Sequence, residues 1–338
     1  WLIQLNGNDV IGSIFVPYNF NSDREMIFNM KKFRLPGDDQ DIKKASDFDP
    51  RKLPTIRLSA AEFAFDDRYL GAVEAIFEKT EKGLVATKFS SSDTSFSING
   101  KGSWLIDETD PLGSRSSFSA NLSSSDVEQT MARLDYTPGI DGKDMSIDFD
   151  VSWSGNPRPD FLDTLNGEVK INFGNGQLKE VEPGAGRVFG LMSILALPRR
   201  LSLDFRDVFS KGFGFDEIAG TFKIENGVTH TCDLSLEGPA ADIGIVGKSD
   251  VTKHTYEQAA IVYPNVGNTL PIVGAVVAGP QAIPALLIFS QIFKKPLQGV
   301  GQAYYSIDGS WDKPNVEPTD SLEFVKSSEK VCQMLAEG

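Results

Sequence analysis

The sequence predicts a mainly β protein, and three observations carry that prediction. The first is strict alternation. Met145, Ile147, Phe149, Val151 and Trp153 are apolar while Ser146, Asp148, Asp150 and Ser152 between them are polar, the period-two pattern of a strand with one buried face. Val169, Ile171 and Phe173 repeat it against Glu168, Lys170 and Asn172. The second is punctuation: short apolar runs recur along the chain, separated by turn signals, in a composition with 31 Gly, 18 Pro and 23 Phe. The third is that helical spacing is confined to a few stretches. A chain of 338 residues has room for two domains, although all-β architectures often devote more than about 200 residues to one.

In chain order, strands are expected around residues 1–5, 10–16 and 26–35. The polar, proline-bounded segment 36–54 reads as a long loop. Ile56 and Leu58 share one parity and Phe63 and Phe65 the other, which a bulge near Ala60 and Ala61 reconciles. Short strands follow at 73–77, 84–89, 95–98 and 103–106, with turns at Glu81-Lys82-Gly83 and Asn99-Gly100. Val127, Met131 and Leu134 fall at helical spacing after Ser124-Ser125-Asp126, which supplies an N-cap.

Thr221–Ile224 and Val228–Leu236 flank Glu225-Asn226-Gly227 as a hairpin. A two-residue Asn-Gly loop would pair Ile224 with Thr229 and split the two apolar sets between faces. A three-residue loop pairs Ile224 with Val228 and Phe222 with His230 and keeps those sets together, so it is the expected one. Ala241, Ile243 and Ile245, then Ala259, Ile261 and Tyr263, then Ala303, Tyr305, Ile307 and Trp311 complete the strands. A barrel, a sandwich and an open curved sheet are all compatible with this pattern.

Two stretches break the β period. In 183–216, Val188, Leu191, Met192 and Leu195 are spaced for a helix that Pro198 ends. Segment 270–293 carries no charged residue and is nearly long enough to span a bilayer, but Pro271, Pro280 and Pro284 divide it. Two short apolar helices covering one end of a sheet, or shallow insertion with Lys294 and Lys295 at the headgroups, fit better than a span.

The formal charge of −14 argues against nucleic acid and against broad docking on anionic lipid. The only cysteines, Cys232 and Cys332, could pair in an oxidising compartment, although their separation gives no geometric reason to expect it. The chain opens in mid-pattern on Trp1-Leu2-Ile3, as an excised piece of a longer protein would. No catalytic or metal-binding constellation emerges. His230 and His254 lie in no ligand spacing, Gly184-Ala185-Gly186 with Gly190 has the wrong spacing for a dinucleotide fingerprint, and there is no phosphate loop or GxSxG elbow. No enzyme, cofactor or metal is expected.

The run PGAGRVFGLMSILALPRRLSLDF, then FSKGFGFDEIAG and IVYPNVGNTLPIVGAVVAGP, resembles the C-terminal region of the large AsmA-like envelope proteins of Gram-negative bacteria, from about Asn166 to Pro314. The resemblance implies an elongated, open, curved antiparallel sheet, groove-like, with a few short covering helices. It divides the chain into 1–165 (N-terminal part of the groove), 166–314 (the family's C-terminal region, with inserted helices at 184–197 and 270–293) and 315–338 (a polar tail). It further implies a periplasmic segment, near the outer membrane, of a protein anchored in the inner membrane. Its partners would be phospholipid acyl chains, the outer membrane's inner leaflet or an associated protein, and the rest of the same chain. Parity then assigns Met145, Ile147, Phe149, Val151, Ile171, Phe173, Phe222, Ile224, Leu234 and Leu236 to the lipid-binding lining. Leu270, Ile272, Val276, Val277, Leu286, Leu287, Phe289 and Phe293 are assigned to a distal gate or membrane contact. The competing expectation is an envelope scaffold or interaction module whose apolar face is an ordinary packed core.

Overall fold

Alternation governs nearly every segment of the computed structural model, which describes residues 1–20, 24–36, 49–157, 161–179, 197, 213–264, 303–319 and 332. Its strands are β1 (Leu2–Asn6), β2 (Val10–Phe15), β3 (Met26–Leu35), β4 (Ile56–Phe65), β5 (Arg68–Thr80), β6 (Gly83–Ser92), β7 (Phe96–Ile106) and β8 (Ser114–Ser124). The helix α1 (Val127–Arg133) follows, then β9 (Ile140–Gly142), β10 (Met145–Ser154), β11 (Asn166–Phe173), β12 (Gly176–Leu178) and β13 (Phe213–Phe215). The remaining strands are β14 (Glu217–Glu225), β15 (Val228–Glu237), β16 (Ala241–Asp250), β17 (Thr255–Pro264), β18 (Ala303–Ser310) and β19 (Lys313–Pro318). Sixteen of them form one open sheet in chain order with β1 and β19 as its edges, while β13, β12 and β9 form a small second sheet.

The chain resolves into two compact units. The first comprises Trp1–Ser125, Gln129–Asp135 and Ser146–Gly167; the second comprises Asp126–Glu128, Tyr136–Met145 and Glu168–Gly338. The helices expected at 184–197 and 270–293, and all eight residues assigned to the distal gate, lie outside the described residues apart from Leu197, which is buried.

Four expectations change. The sheet is mixed, because β3 pairs with β4 in parallel register, Met26 against Ile56 through Leu35 against Phe65. The long connection over 36–55 allows this, since a parallel return needs a dozen or more residues. Asn99-Gly100 is not a turn: residues 96–106 form the single strand β7. Gly100 is there for close approach, as a Cβ on it would stand 2.7 Å from the Ala120 Cβ of β8. The serine-rich β8, SRSSFSANLSS, is a full strand of eleven residues that was not among the expected elements, because it holds few apolar residues.

The fourth change is the β14–β15 hairpin, which uses the two-residue Asn226-Gly227 loop, so that Glu225 pairs with Val228 and Ile224 with Thr229. Both loop residues have positive φ, +48° and +76°, the conformation whose twist matches the flanking strands. The apolar sets still share one face, because the register shifts between Thr231 and Leu234 against both β14 and β16. One extra residue in β15 there moves Leu234 and Leu236 onto the side of Phe222 and Ile224. His230 thus pairs with Lys223 and Lys248 on the opposite face, not with the apolar set. The bulge expected near Ala60 and Ala61 is present, as the β4–β5 register shifts between Ala60 and Phe63.

Candidate functional site

In the first unit, the register lines up side chains of one kind on each face. One row runs Ile3, Ile14, Phe28, Leu58, Ala75, Phe89, Gly100 and Ala120 from β1 to β8. Beside it runs Leu5, Gly12, Met30, Ala60, Val73, Ser91, Ile98 and Leu122. On its other side lie Met26, Ile56, Phe77, Ala86, Gly102 and Phe118. The interleaved row on the reverse face reads Gln4, Ser13, Asn29, Ser59, Glu74, Ser90, Asn99 and Asn121. One face is therefore apolar across eight strands, and the reverse face is polar along this row, with Phe15, Ile27 and Ile76 beside Arg57 and Lys88 in the next.

The polar face is solvated and knitted by surface pairs. Lys88 Nζ lies 2.6 Å from a Glu74 carboxylate oxygen, Asn121 donates to Asp148 at 2.8 Å and Ser119 to Asp150 at 2.9 Å. The Lys88 ammonium holds Glu74 below the usual carboxylate range through that hydrogen bond and its charge. Such exposed pairs contribute little to stability individually.

The apolar face is not closed over in the way a core is. The small residues on it are buried: Ala60 is 3% exposed, Val73 2% and Ala75 1%. The large ones standing above them, Phe28, Leu58, Phe77, Phe89, Ile98 and Phe118, are each partly exposed, as are Phe149 and Val151 on β10. Phe89 and Phe118 meet edge to face at 5.7 Å, and Phe33 and Phe63 do the same at 5.7 Å. Gly100 and Gly102 leave the floor beneath Phe89 and Phe118 free of side chains, and a Cβ on Gly102 would stand 2.6 Å from the Ser117 carbonyl. Aromatic rings leaning over strand glycines in this way compensate the missing side chains. At one end, Thr130 of α1 is tied to the sheet by its hydroxyl bonds with Ser124 and the Ser95 carbonyl.

The second unit continues the pattern with different exposure. Its corresponding rows are Ile218, Leu236, Ile243, Val262 and Ala303, and then Leu234, Ile245, Ala260 and Tyr305. Ile218, Leu234, Leu236, Ile243, Ile245, Ala260 and Val262 are all 0% exposed. Of the ten residues assigned to the lining by parity, Phe149 and Val151 are partly exposed, and Met145, Ile147, Ile171, Phe173, Phe222, Ile224, Leu234 and Leu236 are buried. The open surface lies instead on Phe28, Phe77, Phe89 and Phe118, which parity alone did not single out. The one sequence signal for Phe118 is its shared parity with Ala120 and Leu122 inside the serine-rich run.

On the reverse face of β15, burial lowers the pKa of His230, with Lys248 adding to the effect and Glu225 opposing it. His254 stacks on Trp311 at 4.7 Å, a packing role. Among the described residues no group of three or more His, Cys, Asp or Glu side chains is placed to hold a metal ion, and no helix is long and apolar enough to cross a membrane. Cys232 and Cys332 are joined by a disulfide.

The model of the YhdP protein family matches residues 1–316, well beyond the stretch from Asn166 in which the resemblance is dense. The "Intermembrane phospholipid transporter YhdP" of Escherichia coli K12 is 31% identical over 227 residues, covering 66% of this chain and 18% of its own length. The chain thus spans under a fifth of that relative. No solved structure matches it.

Proposed function

This chain belongs to the YhdP family, and on that premise we propose that it is a lipid-binding and transfer segment of a periplasmic, membrane-anchored protein that carries phospholipid between the inner and outer membranes. The observation that supports this reading most directly is the apolar face of the first unit, whose aromatic side chains are partly exposed over a floor of Ala, Val and Gly. A surface of this kind costs free energy in water, and contiguous exposed apolar patches mark binding sites. Acyl chains laid along it gain about 0.8 kcal/mol for each methylene removed from water. The register makes the strip continuous across β1 to β8, so a chain can slide between equivalent apolar positions. The charged headgroup stays in solvent, which an open sheet permits.

In this reading the sheet curls along its length into a groove, the polar face looks toward the periplasm, and neighbouring segments of the same polypeptide extend it. The relative's name, an intermembrane phospholipid transporter, supports phospholipid as the cargo. The chemistry needed is binding and release, with no bond made or broken.

Photo-crosslinking in living cells tests the reading. A photoreactive residue in place of Phe89, Phe118 or Phe149 is expected to form phospholipid adducts, while the same residue at Asn99 or Asp148 on the reverse face is not. Adducts absent from all three apolar positions in folded protein would leave the scaffold reading in its place.

A further inference from the structure

The face of β14–β18 that carries Leu234 and Ile245 holds two buried polar side chains, Thr231 and Gln258, without a side-chain hydrogen-bond partner among the described residues. Gln258 is 0% exposed, and neither its amide oxygen nor its amide nitrogen has a hydrogen-bond partner among the described residues. Thr231, 1% exposed, has an equally unpartnered hydroxyl. The two share a face and a row. Thr231 pairs with Gly247, and Gly247 pairs with Gln258, so they stand two strands apart, about 10 Å between backbones. Gly247 between them has φ +134°, and a Cβ there would lie 3.1 Å from the Gln258 Cγ. The glycine is what lets the glutamine stem lie across the row toward Thr231.

The surroundings define what could pair with them. On one side the adjacent row holds Leu234, Ile245 and Ala260, with Tyr305 at its end. On the other side the hydroxyls of Thr229 and Ser249 are already used: Thr229 donates to the Ser249 carbonyl at 3.0 Å, and Ser249 donates to the Thr255 carbonyl and accepts from Trp311 Nε1, each at 3.0 Å. The row thus sits between a mainly apolar row and one whose Thr229 and Ser249 hydroxyls are engaged. The nearest lysines on these strands, Lys223 and Lys248, occupy the opposite face by register. An anion would find no countercharge here, and burying one unpaired is prohibitive. A neutral carbonyl or hydroxyl that arrives attached to a long apolar body satisfies every condition.

We propose that Gln258 and Thr231 recognise the ester-linked glycerol region of a phospholipid, the Gln258 amide N–H and the Thr231 O–H donating to ester carbonyl oxygens. The proposal rests on the lipid-transfer reading and adds a polar register point to it, at which a moving lipid pauses. A buried primary amide left without partners is costly to keep, and a passing ester would satisfy it.

The test uses lipid analogues. The protein is incubated with vesicles of diacyl phosphatidylethanolamine and phosphatidylglycerol, or with vesicles of their dialkyl-ether counterparts, which keep chains and headgroup but lack the carbonyls, and retained lipid is counted by native mass spectrometry. The wild type is expected to retain the diacyl forms about tenfold better, the effect of one or two hydrogen bonds. Gln258→Met and Thr231→Val should abolish that preference without lowering the melting temperature of lipid-free protein, because replacing an unsatisfied buried polar group by an apolar one of similar shape is neutral or stabilising. Equal retention of both lipids by the wild type, with crosslinks at Phe118 intact, overturns this site and leaves the transfer reading standing. A lower melting temperature in Gln258→Met also overturns it, by revealing a structural hydrogen bond. Retention of neither lipid, with no crosslink at Phe118, overturns both.

Discussion

Reducing the Cys232–Cys332 disulfide should loosen the second unit more than any single side-chain change on its surface. The bond joins residues 100 apart in sequence, and it is anchored where β15 carries its extra residue, between the register shifts at Thr231 and Leu234. That site is otherwise held lightly, with the Thr221 N–H donating to the Asp233 carboxylate at 2.7 Å. Releasing a loop of about 100 residues in the unfolded chain returns chain entropy worth about 4.7 kcal/mol in the loop-closure account. At about 1.4 kcal/mol per decade this is a little over three decades in the opening equilibrium. Hydrogen exchange measured on the amides of β15 and β16, with and without reductant and in a Cys232→Ser, Cys332→Ser double variant, reads that equilibrium in the right unit. Protection is expected to fall by about 10³-fold in both treated samples, while amides of β5 and β6 keep theirs. A loss under about tenfold in β15 and β16 would refute the reasoning, showing that the bond does not restrain the unfolded chain. The same bond requires an oxidising compartment to persist.

Other consequences are equally direct. Ile147→Ala, at a position 2% exposed, should cost about 2–5 kcal/mol in denaturant unfolding, whereas Phe118→Ser, on the partly exposed strip, should cost clearly less while suppressing phospholipid crosslinks at Phe89; equal costs would contradict the distinction between core and carrying surface. Gly71→Ala should destabilise the first unit by about 2 kcal/mol or more, because Gly71 has φ +70° and an added Cβ would press on the Ser92 carbonyl; thermal melting within a degree of wild type would count against it. His230, whose pKa burial depresses, binds a proton more readily when unfolded, so its contribution to stability is present above its ordinary pKa and is lost as pH falls through the folded value. Urea midpoints followed downward from pH 7 should therefore decline less steeply in His230→Gln than in wild type, and parallel profiles would show that His230 carries none of the acid sensitivity.

Period-two alternation is local physics, and where it was unbroken it was legible. Residues 26–35 were expected as a strand and form β3 with those bounds, and Met145 to Trp153 form β10. The compensating bulge near Ala60 was legible for the same reason, since two apolar pairs of opposite parity in one strand leave few other solutions. The β14–β15 hairpin shows where the reasoning loses its grip. Asn226-Gly227 favours the two-residue loop locally, and the demand that the apolar sets share a face argued for three. The chain satisfied both by placing an extra residue at Cys232 and Asp233, a position that no turn signal marks. Strand β8 was hidden because its face needs few apolar residues: Ser114 and Ser116 sit among Trp104 and Ile106, buried and hydrogen-bonded.

Parity names a face but says nothing about what lies over it, since that depends on residues remote in sequence. The same alternation yields a partly exposed strip in the first unit and a largely enclosed one in the second, and the residues assigned to the lining by parity fall in both. Side-chain choice does separate them. The exposed rows set Phe28, Phe77, Phe89 and Phe118 beside Ala, Gly and Met, a rough surface whose rings stand clear of a small-residue floor. The enclosed rows are mainly Ile, Leu, Val and Ala of more even height, with Tyr305 at one end, shapes that interdigitate into a close-packed interior. A surface meant to hold varied, sliding acyl chains benefits from aromatic relief with gaps between the rings, whereas a fixed core benefits from uniform layers. On that criterion the surface we propose for carrying lipid is the first unit's, and in the second unit the point of interest is the one row, Thr231 to Gln258, where the apolar layer is interrupted.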